Sequence, residues 1–165
     1  MADSNVEQLF VINNFNDIEL DHVQRAALYE SMGASLTRAT QADKLGASVD
    51  CIPPGKRAVP YHFHHAQEEM FIILNGSGTL RIADQMRPIK EGDVICIPAG
   101  GQYPHQIINT SDQLLRYISI STTDSPEICE YPDSNKYLAK STHNGSSFRA
   151  INSLIENVDY WDNEP

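Results

Sequence analysis

Between residues 60 and 78 the chain reads PYHFHHAQEEMFIILNGSG, three histidines and two glutamates ahead of an apolar run. Histidine and glutamate are rarely buried fully unless they are paired or bound to something. In an extended strand alternate side chains share a face, so His62 and His64 point one way and Phe63 the other. The run EEMFIIL puts Glu69, Phe71 and Ile73 on one face and Glu68, Met70, Ile72 and Leu74 on the other. Both faces are apolar beyond their first residue. That predicts a strand buried on both sides, whose leading carboxylate needs a cationic partner. Two imidazoles and a carboxylate converging on β structure are donors suited to a divalent transition metal. Downstream, GDVICIPAGGQYPHQIIN opens another apolar run with His105, and Ile107 and Asn109 share its face.

Strands must hold these groups. From Ala47 the segments ASVDCIP, VPYHFH, EEMFIIL, GTLRIA, DVICIP, HQIIN and LLRYISIS are short and β-like. PPGK, NGSG, ADQMRPIKEG and PAGGQYP divide them. Several short strands at this spacing predict an antiparallel sandwich or barrel. Upstream, residues 1–20 read as a loose polar arm. Residues 21–32 read as a helix with Asp21 as N-cap, a strand being the alternative. After Ser125 the chain is rich in turn formers, YPDSNK and STHNGSS among them, and a short helix is expected over 148–157. Trp161 is expected to dock on the body. The divisions are then a lead-in over 1–45, a barrel core over 46–125, and a C-terminal extension over 126–165 packed on the same domain.

Bulk properties narrow the function. A chain of 165 residues suits one domain with a sizeable core. A formal net charge of −10 argues against nucleic-acid or anionic-membrane surfaces. No apolar stretch is long enough for a membrane span, and MADSNVEQLF has no signal-peptide pattern. The three cysteines, Cys51, Cys96 and Cys129, form no CxxC pair. Cys51 and Cys96 sit in apolar runs and are expected in the core, and a reducing cytoplasm is the simplest setting.

The first histidine block resembles the first cupin motif, reading Gly55, His62-Phe63-His64, Glu69 and Gly76. The second block resembles the second cupin motif, reading Gly92, Pro98-Ala99-Gly100, His105 and Asn109. The resemblance implies an all-β double-stranded β-helix, the jelly-roll cupin barrel, with short N- and C-terminal extensions. It also implies a metal site on His62, His64, Glu69 and His105, holding one divalent transition metal ion such as Zn, Mn, Fe or Ni. Two spacings depart from the pattern. Gly55 stands one residue further from the histidine pair, and four residues rather than two separate Gly100 from His105. Glu68 competes with Glu69, and the spacing to Gly76 favours Glu69. His65 has no place in the motif and falls on the opposite face if the strand continues. His22 and His143 are isolated and expected at the surface.

PPGK, the HxHHAxEE block, ISIST and YPDSNK are similar to small single-domain bacterial cupins labelled sugar-phosphate isomerases, a label spread by similarity. The resemblance implies a metal-dependent enzyme on a small polar substrate, a sugar or sugar phosphate. The metal would polarise neighbouring carbonyl and hydroxyl oxygens. Tyr103 and His65 are the catalytic candidates for proton transfer, with Glu68 and Lys56 behind them. Lys56, Arg57, Arg81 and Arg116 are the cations for a phosphate, and Arg81 alternates so as to face the barrel. In the longer loop before His105, Gln102 and Tyr103 are expected to face the pocket. The alternatives are an Fe-dependent dioxygenase-type cupin and a non-catalytic small-molecule binding module. A helix-turn-helix is not expected, because residues 17–45 are too short and too acidic for one. Exposed jelly-roll edges, and the family's habit, point to a homodimer.

Overall fold

The structure is a computed structural model that describes residues 11–155 and 158–164. Among the described residues, thirteen strands and a single 3-10 turn make up the regular structure, as expected of a jelly roll. One layer is a six-stranded sheet in the order β1 (Asp21–Arg25), β2 (Tyr29–Ser35), β3 (Leu45–Ile52), β10 (Leu115–Thr122), β5 (Glu69–Asn75) and β8 (Val94–Ile97). The facing layer has two parts. Strands β7 (Gln85–Lys90), β6 (Ser77–Ile82) and β9 (His105–Ile108) form the first. Strands β13 (Ser146–Ser153), β12 (Lys136–His143), β11 (Glu127–Tyr131) and β4 (Phe63–His64) form the second. A bridge between His62 and His105 joins the two parts, so the metal-type histidines lie on the seam.

Period-two alternation builds the core. Phe71 and Ile73 of β5, Ile97 of β8 and Tyr117 of β10 are buried and pack on Leu80 and Ile107 from the other layer. The opposite face of β5 is less covered than expected: Met70 is 36% exposed and Ile72 and Leu74 are half-buried. Cys96, expected inside, alternates outward from β8 and is exposed, whereas Cys51 is buried. The glycine opening the β5–β6 turn is required by geometry. Gly76 has φ +84, and a Cβ there would lie 2.5 Å from the Leu114 carbonyl oxygen.

Four other expectations change. Residues 21–32 form the β1–β2 hairpin and not a helix, with Ala26 at φ 51 in its turn. The edge of β3 pairs with Met32 to Ser35 of β2, and tertiary pairing overrides a weak helical stripe. The divider ADQMRPIKEG is largely strand β7, whose Pro88 is tolerated because β7 pairs on one side only. The helix expected over 148–157 is instead strand β13, with residues 156–157 outside the described ones. Asn144 (φ 48) and Gly145 (φ 79) make the tight Asn-Gly hairpin that turns β12 into β13. Trp161 is 72% exposed and packs edge-on against Tyr160, not on the barrel.

The arm is only partly open to description, since residues 1–10 lie outside the described ones. Residues beyond them are tied to the sheet. The Arg116 guanidinium donates to the Phe15 carbonyl at 2.5 Å and to Asn16 Oδ1 at 3.0 Å.

Candidate metal centre

The four residues of the two histidine blocks come together from three places in the chain. Glu69 opens β5, His105 opens β9, and His62 and His64 flank Phe63 at β4. The His62 and His64 rings are 5.0 Å apart, and those of His62 and His105 are 4.6 Å apart. The three Nε2 atoms converge on a single oxygen, Glu69 Oε2. The distances are 2.6 Å from His105, 3.5 Å from His64 and 3.8 Å from His62. Glu68 points away and is exposed, so the parity argument for Glu69 agrees with the geometry.

Each imidazole is aimed by an acceptor on its other nitrogen. His62 Nδ1–H donates to the Pro60 carbonyl (2.8 Å) and His105 Nδ1–H to the Tyr103 carbonyl (3.0 Å). His64 Nδ1–H donates to Glu127 Oε1 (3.1 Å). Carbonyl oxygens accept only, so these contacts place the ring protons outward and turn the Nε2 lone pairs into the centre. His105 is the exception, because its Nε2 also lies against a carboxylate oxygen. One proton must sit between His105 and Glu69, and a divalent cation could take its place. One donor atom each from His62, Glu69 and His105 lies within 4.8 Å of the others, a set of the kind that could hold a transition metal, with His64 beside it.

Electrostatics agree. Burial, then repulsion from His105, pushes His62 down to about 4, so it is neutral and ready to ligate at ordinary pH. Burial opposes the charge on Glu69. The hydrogen bond from His105 and electrostatic attraction to the surrounding imidazoles, His105 foremost, outweigh burial and hold the carboxyl below its ordinary value.

Strand β11, in the C-terminal extension, supplies a wall that the sequence reading missed. Its alternate residues Glu127, Cys129 and Tyr131 face the histidines. Glu127 is 1% exposed. It accepts not only from His64 but from the backbone N–H groups of His65, Ala66 and Gln67 at 3.0–3.1 Å, so it anchors the connection between the histidine pair and Glu69. The Tyr131 ring stacks on His62 with centroids 6.2 Å apart. The alternation in EICEY was the available signal, but nothing in it says which strand it pairs with.

The remaining nominated residues lie elsewhere. His65 is half-exposed, with Nε2 2.7 Å from Glu130 and its ring against Phe63; it does not join the quartet. The longer loop is a tight turn in which Tyr103 N–H donates to the Gly100 carbonyl and Gly100 N–H to that of His64. Tyr103 packs its ring against the core and reaches the site through its carbonyl, while Gln102 is exposed. Lys56 donates to the Ala27 carbonyl (2.7 Å) and sits 3.6 Å from Glu30. Arg57 reaches Gln106, and Arg116 holds residues 15–16. Arg81 does not face the barrel centre: it clasps Asp133 through two contacts of 2.6 and 2.9 Å and lies over the Tyr61 ring. His22 and His143 are exposed, as expected.

The cupin domain family matches residues 48–121 of this chain, the stretch that carries all four converging residues. That stretch is similar to the cupin domain, and the β-barrel around it has the cupin fold. Its fold is similar to that of a protein from Acidithiobacillus ferrooxidans provisionally named a sugar phosphate isomerase. That likeness has a TM-score of 0.73 at 25% identity over 88% of this chain and 94% of the other. A cupin-superfamily sugar phosphate isomerase from Silicibacter pomeroyi shares the fold at TM-score 0.64 and 21% identity, over 73% and 75% of the two chains. A polyketide cyclase from Streptomyces resistomycificus shares it at 0.60 and 22%, over 70% and 80%. An uncharacterized protein of Methanocaldococcus jannaschii is 31% identical over 42% of this chain, a match that spans about half (54%) of that relative. Among the described residues no helix is long and apolar enough to cross a membrane.

Proposed function

We propose that this protein holds one divalent transition-metal ion between His62, His64, Glu69 and His105 and acts on a small, oxygen-rich polar molecule. The reaction class is isomerisation of a sugar or sugar phosphate. The observation that carries the metal reading is the convergence of three Nε2 atoms on one carboxylate oxygen, each ring held from behind by its own acceptor. The likeness to the Acidithiobacillus protein supports the reaction class. When bound, the ion supplies Lewis acidity toward carbonyl and hydroxyl oxygens. The chain's own residues orient the imidazoles, keep His62 unprotonated and wall the site with β11. Of the two proton-transfer groups nominated from sequence, His65 is turned to Glu130 and Tyr103 is packed on the core. Tyr131, stacked on His62, is the phenol facing the imidazoles. Lys56 and Arg81 are held by internal acceptors, Arg116 holds residues 15–16, and Arg57 makes one 3.4 Å contact with Gln106 while the buried Nε atoms of Arg57 and Arg116 have no hydrogen-bond partner.

The working assembly is a homodimer in the cytoplasm. A hollow of about 320 Å³ on the six-stranded sheet, lined by Leu45, Met70, Cys96 and Ile120, supports the dimer.

Metal analysis of the natively expressed protein, with assays of aldose–ketose conversion, tests the reading. Mn or Zn with conversion is expected. Stoichiometric iron with O₂ uptake would replace it with the dioxygenase reading, and a protein that takes up no metal would overturn it.

A further inference from the structure

We propose that Cys129 is a further donor to this metal, making the centre one that prefers a thiophilic ion. The inference rests on the metal reading above. Cys129 and His64 are direct partners in the β11–β4 ladder, so their side chains share a face. The cysteine is 2% exposed. Cys129 Sγ and one ring nitrogen from each of His62 and His64 all lie within 4.8 Å of one another. Two donors of one ion, with bonds of ~2.0–2.3 Å, stand at most about 4.5 Å apart, so small side-chain shifts bring the sulfur onto the same ion. The quartet and the thiol thus share two imidazoles.

The step is balanced simply. The divalent ion forms a metal–sulfur bond, the S–H bond breaks, and the proton leaves to solvent. The consequence is selectivity. Carboxylate and imidazole donors alone accept Mn, Fe, Ni or Zn, whereas an added thiolate favours Zn or Co over Mn. The competing account is that Cys129 is a small apolar residue filling the barrel wall beside the histidines.

Titration of the metal-free, full-length protein with Co(II) separates the two. Visible ligand-field bands report ion binding, and a near-ultraviolet sulfur-to-cobalt band reports a thiolate ligand. The wild type should show both at one equivalent. Cys129→Ala and Cys129→Ser should keep the visible bands and lose the near-ultraviolet one. Their preference for Zn over Mn should fall at least ~10-fold. Visible bands without the sulfur band in wild type would overturn the role of Cys129 and leave the quartet standing. A sulfur band that persists in both variants would overturn it too, by assigning the band to another thiol. Absence of any cobalt spectrum would overturn the metal reading first and this one with it.

Discussion

At the residue scale the site is defined by what stands behind each ligand-type side chain. Removing His62 or His64 leaves the barrel core untouched, since neither belongs to its apolar cluster. His62→Ala with His64→Ala should therefore fold and lose stoichiometric metal, as measured on the purified protein. Glu68→Gln should leave metal content at the wild-type level, because Glu68 faces outward. Loss of metal there would move the ligand by one residue. Glu127 is a positioning group. Glu127→Gln keeps one of the two acceptor oxygens and supplies no charge to His64, so metal affinity should fall ~10–100-fold. Glu127→Ala also removes the acceptor of three backbone N–H groups, of which that of Gln67 is buried, and should cost about 1–3 kcal/mol for that donor and less for the other two. Equal metal affinity in Glu127→Gln and wild type would remove the positioning role.

His62 also gives the metal-free protein a pH dependence. Its imidazole titrates at about 4 in the fold, against an ordinary value of 6.5. Between those values the unfolded chain binds the proton and the folded chain does not, so acid favours unfolding. The contribution is complete above pH ~6.5 and fades as pH falls toward ~4. A difference of that size between folded and unfolded chain corresponds to about 3 kcal/mol of stability. Urea midpoints of metal-free wild type should drop through that window, and those of His62→Asn should drop less. Parallel curves would contradict the assignment.

At the element scale the decisive piece is β11. It comes from a stretch rich in turn formers, yet it pairs with β4 and turns Glu127, Cys129 and Tyr131 onto the histidines. Its far end is strapped down by Arg81, which reaches from β6 to Asp133 just beyond β11. The two side chains are 26% and 51% exposed, so the pair itself is worth at most about 1 kcal/mol. Its effect should appear in the site instead. Arg81→Lys loses the two-pronged contact. The expected result is a nearly unchanged melting temperature with weaker metal binding. A variant with wild-type affinity would show that β11 keeps its place without the strap. The loop before His105 works similarly: its two extra residues are absorbed in a turn held by Gly100 and Tyr103, so His105 still meets His62 across the seam.

At the scale of the whole molecule, the six-stranded sheet presents apolar side chains outward at one end. Val94 is 59% exposed and Leu45 54%, and Met70 and Cys96 alternate outward beside them. A second copy would cover this face. Sedimentation equilibrium of the full-length chain should give a dimer at micromolar concentration, and Met70→Glu with Val94→Glu should give a folded monomer. A monomeric wild type would end the proposal. A dimer unaffected by both changes would place the interface elsewhere.

The alternation HxH, the parity of Glu69 and the turn glycines made the strands and the facing of His62, His64 and Glu69 legible in the sequence, because these are local properties of extended chain; His105 was joined to them by the resemblance to the cupin motifs. The buried carboxylate itself demanded cationic neighbours, and the histidines were the available ones. Other features depended on partners far along the chain. Residues 21–32 carried patterns for both helix and strand, and only the free edge of β3 chose between them. Strand β7 looked like a divider because proline is disfavoured in a strand paired on both sides, whereas β7 pairs on one side only. The outward turn of Cys96 and the half-covered face of β5 followed from how much of the sheet the second layer covers, a quantity no periodicity contains. The role of Glu127, Cys129 and Tyr131 was decided by one long-range pairing, β11 on β4. A strand's side chains acquire a chemical environment only when its neighbour is fixed, and strand neighbours are a property of the tertiary structure.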